Sequence, residues 1–215
     1  QLGHGLRPRM TAYTLFGNLH SGHSYKARLA LLMLGLEHAY RPVDIALPRE
    51  ARDPEWQQYS RFGEVPVLVA GGVPIVQSNA ILLHLCRTHH ALGWAADPEG
   101  ITSWLFWEAN RIGFSLPNYR FHTLFGETPR EPVMEWLQER MRTDLATLDA
   151  AVSASPFLLG EAVTAADIAC SAYLLYRDLP DLELGRYRAI SAWLARIEGL
   201  PGWRAPQVVM GKSAG

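Results

Sequence analysis

One βαβ pattern occupies residues 12–45, AYTLFGNLHSGHSYKARLALLMLGLEHAYRPVDI. Residues 12–16 are rich in strand formers, and residues 24–34 carry apolar side chains at helical spacing. Residues 39–45 predict a second strand, which Pro42 places at a sheet edge or a bulge. Because a crossover helix of this length joins parallel strands, we expect the two strands to run parallel.

The next stretch of chain predicts a hairpin and a second helix. Residues 67–69 and 73–76 are short apolar runs on either side of an AGG turn, which is typical of a β-hairpin. Ser78 predicts the N-cap of a helix over residues 79–88. A small mixed sheet with helices packed on it is therefore expected for residues 11–90.

The remainder of the chain is helical in pattern. Residues 91–100 contain two glycines and a proline and predict a linker, and residues 101–206 predict an all-α domain. The expected helices span residues 101–116, 132–153, 164–179 and 190–198. The fold class is thus an α/β domain followed by an all-α domain.

Composition excludes several classes of protein. The 215 residues include 20 basic and 21 acidic side chains, a net charge of −1 that argues against a nucleic-acid partner. No apolar run approaches the ~18 residues of a membrane span, so we expect no membrane partner and a cytoplasmic location. Residues 1–9 lack the apolar core of a signal peptide and precede Met10, so we expect them to be a vector-derived remnant.

Cysteine and histidine usage narrows the chemistry. Cys86 and Cys170 are far apart in sequence and lie among apolar or small neighbours, which predicts buried thiols in a reducing compartment. The eight histidines form no HExxH or similar metal-ligand spacing, so we expect no metal. No phosphate-binding glycine loop and no nucleophile elbow is present.

Two short motifs could bind an extended, acidic ligand. Pro66 precedes a strand and is a candidate cis proline, which would leave the backbone groups of Val65 free for strand addition; a strand-initiating proline is the alternative. Gln77 and Ser78 precede a helix whose free N–H groups favour a carboxylate; a plain N-cap is the alternative.

Two further motifs lie at helix starts. Ser21, His23 and Ser24 fall between the first strand and the first helix, where a serine hydroxyl could donate to a thiolate; a simple helix cap by Ser24 is the alternative. Thr164 and Asp167 have the spacing of a capping box, for which we expect a structural role.

The order of these motifs resembles that of the cytosolic glutathione S-transferase superfamily. The segments that carry the resemblance are SGHSYKARLALLMLGL, FGEVPVL, QSNAIL, LGEAVTAADIA and RAISAWLARIEGLPGW. It spans residues 11–206. The resemblance implies a thioredoxin-like domain followed by a helical domain, glutathione as co-substrate and a homodimer.

The resemblance also implies roles for single residues. The backbone of Val65, beside Pro66 as the cis proline, would pair with the cysteinyl part of glutathione, while Gln77 and Ser78 would hold its γ-glutamyl end. Ser21 matches the serine that faces the sulfur, with His23 or Ser24 nominated by a shifted alignment. Arg52 resembles a basic residue that meets the glycyl carboxylate.

One departure from the family pattern stands out. Family members often have Lys or Gln just before the Val-Pro step, whereas this chain has Glu64. A carboxylate near the glycyl carboxylate would repel it. Either Glu64 points away, or glycyl recognition is rearranged.

The implied reaction is attack of the glutathione thiolate on a small electrophile bound between the domains. The candidate lining residues are Trp107, Asn110, Arg111, Phe114, Tyr119, Phe121 and His122; helix core is the alternative for the tryptophan. Since no cysteine lies in residues 17–26, a serine-type transferase is favoured. Glutathione-dependent peroxide or disulfide reduction and a non-catalytic binding module are the other hypotheses.

Overall fold

A mixed β-sheet organises the first half of the computed structural model, which describes residues 13–126 and 131–211. The strands are β1 (Tyr13–Gly17), β2 (His38–Pro42), β3 (Val67–Ala70) and β4 (Val73–Val76). They are ordered β2-β1-β3-β4, with β1 parallel to β2 and the other pairs antiparallel. The predicted parallel pair, the hairpin and the edge position of Pro42 are confirmed.

Helices cover the sheet and build the second domain. They are α1 (Gly22–Met33), α2 (Pro54–Tyr59), α3 (Ser78–His89), α4 (Pro98–Asn110), α5 (Ile112–Leu124), α6 (Glu131–Ser153), α7 (Ala165–Ser171), α8 (Arg188–Glu198) and α9 (Pro206–Val209). Helices α1 and α3 pack together and also contact α7, so the two domains share one apolar core. Trp56 of α2 and Phe16 of β1 belong to a second, smaller core.

The structure corrects the helices predicted for the second domain. In place of one helix over residues 101–116, α4 ends at Asn110 and α5 begins at Ile112, because Arg111 adopts φ −114° and ψ −102°. The break swings Gly113 so close to Glu108 that a Cβ at position 113 would overlap the carboxylate.

Two other boundaries differ from the prediction. The helix predicted over residues 164–179 contains only α7 and a short 3₁₀ turn at residues 174–176. Pro98 begins α4 inside the predicted linker, since Asp97 caps that helix by accepting the N–H of Gly100 at 2.8 Å. The prediction for residues 1–9 lies outside the described residues.

Candidate functional site

A cleft of about 660 Å³ opens where the end of the sheet faces α4 and α5. Both domains line it, and its volume lies within the range of about 300–1,000 Å³ that is typical of small-molecule sites. The first domain contributes Ser21, His23, Arg52, Glu64, Val65, Pro66, Gln77, Ser78 and Asn79, among others. The cleft therefore gathers every first-domain candidate except Ser24.

Ser21 places a hydroxyl at the N-terminus of α1. It is the N-cap of the helix, and its Oγ accepts the backbone N–H of Ser24 at 3.1 Å. Since that bond uses a lone pair, the Ser21 hydroxyl can still donate its proton within the cleft, where the Tyr173 hydroxyl interacts with it. Ser24 itself is fully buried, and its Oγ accepts the N–H of Asn18 at 3.2 Å. The helix therefore starts at Gly22, two residues earlier than predicted, and presents Ser21 rather than Ser24.

His23 lines the cleft as a neutral imidazole. Burial and, next, the charge of Lys26 lower its pKa to about 4, against an opposing effect of Glu108. Its ring packs edge-on against Tyr173, with ring centroids 5.1 Å apart. Because the ring is uncharged near pH 7, His23 cannot stabilise a thiolate as a cation.

The Val65–Pro66 peptide bond is cis. Among the described residues, no hydrogen bond engages the backbone N–H or C=O of Val65. The preceding carbonyl is held in place, because Glu64 O accepts Trp56 Nε1 at 3.3 Å and Ser60 Oγ at 3.0 Å. A fixed loop thus offers one free donor and one free acceptor to an extended ligand, as strand addition requires.

The N-terminus of α3 forms another wall of the cleft. Gln77, not Ser78, is the N-cap; it has φ +72° and makes no side-chain capping bond. Ser78 is the first helical residue, 8% exposed, and no hydrogen bond among the described residues involves its hydroxyl. The free N–H groups of the first turn, the Ser78 hydroxyl and the helix dipole together favour an anion here.

The charged side chains near these loops are held in distinct ways. Glu64 Oε2 accepts Gln77 Nε2 at 2.9 Å, so the Glu64 carboxylate lies beside the start of α3. The guanidinium of Arg52 donates instead to three carbonyls, those of Leu47 at 2.9 Å, Ile45 at 2.9 Å and Gly63 at 3.3 Å. Arg52 therefore holds the loops around the cleft together.

The second domain turns a different face to the cleft from the one predicted. Its lining residues are Glu108, Ala109, Gly113, Pro117, Arg120, Phe121, Phe125 and Tyr173. Of the predicted residues only Phe121 is among them; Trp107, Asn110, Arg111, Phe114, Tyr119 and His122 are not. Each residue of an α-helix advances the side chain by about 100°, so an error of one position moves a side chain to another face.

The displaced residues make contacts elsewhere. Arg111 pairs with the buried Asp144 at 2.8 Å, and the Tyr119 hydroxyl donates to Asp181. Trp107 packs edge-on against Trp104. Phe114 likewise packs edge-on against Trp136 on α6, the Asn110 carbonyl accepts Arg140 Nη2 at 2.9 Å, and His122 packs edge-on against Phe121.

A buried polar triad that the sequence analysis missed joins the domains at the floor of the cleft. Lys26 Nζ on α1 lies 2.8 Å from Glu108 Oε2 on α4 and donates to Asn79 Oδ1 on α3 at 2.8 Å. Asn79 Nδ2 also donates to Glu108 at 2.9 Å. Burial raises the pKa of Glu108, but the Lys26 charge, the nearby His23 and the hydrogen bonds from Lys26 and Asn79 together outweigh it and hold the pKa below its usual value. A lysine within the apolar segment SYKARLALLML was the only sequence signal.

A second set of contacts fixes the loop before Ser21. Arg120 Nη1 on α5 donates to the carbonyl of His20 at 2.6 Å, and its Nε pairs with Asp178 at 2.9 Å. The Tyr176 hydroxyl donates to the carbonyl of Leu19 at 2.8 Å. The second domain therefore determines where the N-terminus of α1 lies.

The Thr164–Asp167 pair is buried away from the cleft. Asp167 accepts the backbone N–H of Thr164 at 2.8 Å, that of Leu158 at 2.9 Å and the indole N–H of Trp193 at 2.9 Å. These bonds tie the start of α7 to α8 and to the chain before it. The contacts are those of a structural cap.

The two cysteines are buried, and the described residues form no metal site. Burial raises the pKa of the Cys86 thiol to about 11 and raises that of Cys170 strongly. Among residues 13–126 and 131–211, no three His, Cys, Asp or Glu side chains converge as a metal site. Over the same residues, no helix has both the length and the apolar character needed to cross a membrane.

Two family models match this chain. The glutathione S-transferase N-terminal domain matches residues 11–87, and the glutathione S-transferase C-terminal domain matches residues 116–205. Together they cover well over half of the chain. The chain belongs to the cytosolic glutathione S-transferase superfamily.

Relatives with different activities share the family. Glutathione S-transferase F9 of Arabidopsis thaliana is 26% identical over 201 residues, which cover 86% of this chain and 92% of the relative. Disulfide-bond oxidoreductase YfcG of Escherichia coli is 28% identical over 189 residues, covering 83% and 87%. The crystal structure of a glutathione S-transferase from Pseudomonas fluorescens superposes with a TM-score of 0.81 at 29% identity, covering 91% and 98%.

Proposed function

We propose that this protein is a glutathione S-transferase of the serine type, which activates the thiol of glutathione for attack on an electrophile. The observation that carries the proposal is the position of Ser21. Its hydroxyl stands at the N-terminus of α1, lines the cleft and can donate its proton to a sulfur atom. Family membership supplies glutathione as the thiol.

The activation requires a lower thiol pKa in the bound state. A hydrogen bond from Ser21 favours the thiolate, and the dipole of α1 adds to it. A thiol with a pKa near ~8.5 needs a fall of about 2 units to be mostly ionised at neutral pH, or about 2.7 kcal/mol. One charge-assisted hydrogen bond together with a helix dipole supplies a free energy of that size.

The rest of the first-domain wall suits the peptide part of glutathione. The backbone of Val65, after which Pro66 forms the cis bond, would pair with the cysteinyl segment. Ser78, Gln77 and the free N–H groups of α3 would hold the γ-glutamyl carboxylate. Arg52 contributes positive charge to the glycyl end, although its N–H groups are bound to carbonyls.

The electrophile would occupy the part of the cleft formed by the second domain. Small residues, Ala109 and Gly113, lie there beside Pro117, Phe121 and Phe125. Small side chains leave room, while aromatic rings favour a flat, apolar partner. We therefore propose a small aromatic or otherwise flat electrophile as the substrate class.

Calorimetric titration of glutathione tests the binding step. Wild type should bind in the micromolar to low-millimolar range, and Ser78→Ala should weaken binding by about tenfold, or ~1.4 kcal/mol. Thr102→Ala, on the helix α4 and outside the cleft, serves as a control for removal of a hydroxyl. A folded wild type that does not bind glutathione would refute the proposal.

Thiolate absorbance in the ultraviolet tests the activation step. Ser21→Ala should raise the pKa of bound glutathione toward that of the free thiol, and should lower kcat with an aryl halide more than it changes the Kd of glutathione. Ser24→Ala is the matched hydroxyl control, because Ser24 does not line the cleft. An unchanged thiol pKa in Ser21→Ala would contradict the role of Ser21.

A second candidate is glutathione-dependent disulfide or peroxide reduction. The relation to the disulfide-bond oxidoreductase of Escherichia coli favours it, and the same thiolate would serve as the nucleophile. Turnover of a mixed disulfide that exceeds turnover of an aryl halide would select this candidate. Binding of glutathione without turnover of either would instead indicate a binding module.

We also propose a homodimer, as the family implies. Phe106 on α4 is 73% exposed, and a second copy of the chain would cover it. Light scattering of the wild type should give twice the mass of the chain. A monomeric mass at micromolar concentration would contradict the proposal.

A further inference from the structure

The direction in which the Glu64 side chain points gives this residue a part in ligand binding, an inference that rests on the proposed function. A carboxylate at this position conflicts with a nearby glycyl carboxylate if it points toward that end of the ligand. In the structure it points elsewhere, because Glu64 Oε2 accepts Gln77 Nε2 at 2.9 Å. Gln77 is the N-cap of α3, so the Glu64 carboxylate lies at the start of that helix.

A polar group of the ligand is needed at the same place. Ser78 is 8% exposed, lines the cleft and has no hydrogen-bond partner for its hydroxyl among the described residues. Together with the free N–H groups of α3, it favours a carboxylate. In the γ-glutamyl group the α-carboxylate and the α-ammonium share one carbon atom. A carboxylate bound here therefore brings an ammonium group with it.

The surrounding charges leave Glu64 available to that ammonium. Among the described residues, no Lys or Arg side chain forms an ion pair with Glu64. Of the two arginines of the cleft wall, Arg52 directs its guanidinium to backbone carbonyls and Arg120 pairs with Asp178. The other carboxylate of the cleft, Glu108, is already paired with Lys26.

We propose that Glu64 is a specificity-determining residue that binds the α-ammonium of the γ-glutamyl group. Gln77 holds the Glu64 carboxylate in position, and Ser78 with the α3 amides binds the adjoining α-carboxylate. Gln77 is an uncharged amide, so the negative charge that the α-ammonium needs is supplied from position 64. The acid before the Val-Pro step thus supports glutathione binding.

The proposal predicts whether a substitution of Glu64 weakens or strengthens glutathione binding. In Glu64→Gln the carboxylate is lost and the side-chain size is kept, so glutathione should bind about three- to tenfold more weakly, as expected for a partly exposed ion pair. If Glu64 instead opposed the glycyl carboxylate, the same change would strengthen binding. The Glu64 side chain is exposed, so the substitution should not disturb folding.

Two ligands that differ only in the α-amino group test the contact between that group and Glu64. Glutathione and glutaryl-cysteinyl-glycine, which lacks only the α-amino group, are titrated calorimetrically into wild type, Glu64→Gln and Glu37→Gln. Glu37 is an exposed carboxylate outside the cleft and controls for net charge. Glu64→Gln should weaken glutathione alone and leave the affinity for the analogue within about twofold. Added salt should shrink the difference.

The outcomes separate this inference from the proposed function. Tighter binding of glutathione by Glu64→Gln, or an equal loss for both ligands, overturns the role of Glu64 and leaves the transferase proposal standing. A wild type that binds neither ligand overturns both. Equal losses in Glu64→Gln and Glu37→Gln would show a general charge effect and also overturn the inference.

Discussion

Replacement of Lys26 by methionine should destabilise the fold far more than the loss of an ordinary ion pair. The side chains of Lys26 and Glu108 are 1% and 2% exposed and lie 2.8 Å apart. Lys26→Met leaves the Glu108 carboxylate buried with only the amide of Asn79 as a polar partner. Removing one partner of a buried pair costs about 3–5 kcal/mol, because the remaining charge is uncompensated.

The loss should depend on pH in a defined direction. In wild type the Lys26 charge holds the pKa of Glu108 below its usual value. Without that charge, burial dominates and raises the folded-state pKa above the unfolded one. The native variant then binds a proton that the unfolded chain gives up, so its stability falls as the pH rises through the raised pKa. Lys26→Met should therefore be less destabilised at pH 5 than at pH 8.

Urea unfolding followed by tryptophan fluorescence measures the loss in free energy of unfolding, and thermal unfolding measures the change in melting temperature. At ~2–4 °C per kcal/mol for a chain of this size, the melting temperature should fall by roughly 6–20 °C. The double variant Lys26→Met/Glu108→Gln removes both charges and should recover most of the loss. Arg142→Met, which breaks the exposed pair with Glu139, should cost less than about 1 kcal/mol.

Two results would refute this reasoning. A loss below about 1 kcal/mol in Lys26→Met would mean that water compensates the carboxylate despite its burial. A double variant as unstable as the single one would mean that packing of the lysine side chain, rather than charge pairing, holds the domains together.

Three further outcomes follow from the buried groups. Burial lowers the pKa of His23 to about 4, so the native state excludes a proton that the unfolded chain binds below pH ~6.5. The free energy of unfolding should therefore fall by up to about 3 kcal/mol as the pH is lowered from ~6.5 to about 4. His23→Gln should flatten that slope in urea titrations at several pH values, and an unchanged slope would contradict the assignment. Asp167→Ala leaves three buried N–H donors without an acceptor and should cost about 3 kcal/mol or more by thermal unfolding, whereas a loss similar to that in the exposed Asp44→Ala would count against the cap. Cys86 and Cys170 should resist an aromatic disulfide reagent at pH 8 and react only after denaturation, and rapid labelling of the folded protein would disprove their burial.

Local sequence patterns predicted much of the first domain. Strand 12–16, helix 24–34 and the hairpin at residues 67–76 were predictable, because apolar periodicity and turn residues act over a few neighbouring positions. The cis bond at Pro66 was a candidate on the same local grounds, and the structure confirms it. The family resemblance added glutathione, which no single motif indicated.

The second domain shows where local patterns fail. A helical period through residues 101–116 gave no sign of the break at Arg111, because apolar residues continue on both sides of it. The break sets the rotation of α5, and that rotation decides whether Phe114 or Gly113 faces the cleft. An expectation based on one continuous helix therefore placed Phe114 in the cleft, where the structure has Gly113.

The sequence by itself determined the order of elements, the two-domain organisation and several of the first-domain residues that line the cleft, namely Ser21, Arg52, Val65, Gln77 and Ser78. Only the tertiary structure decided how Lys26, Asn79 and Glu108 meet, and that Glu64 points to Gln77 instead of the opposite end of the site. The physical reason is the distance along the chain over which each kind of interaction acts. Helix and strand preferences arise between near neighbours, whereas a buried charge and a rotated side chain depend on what distant segments bring to them.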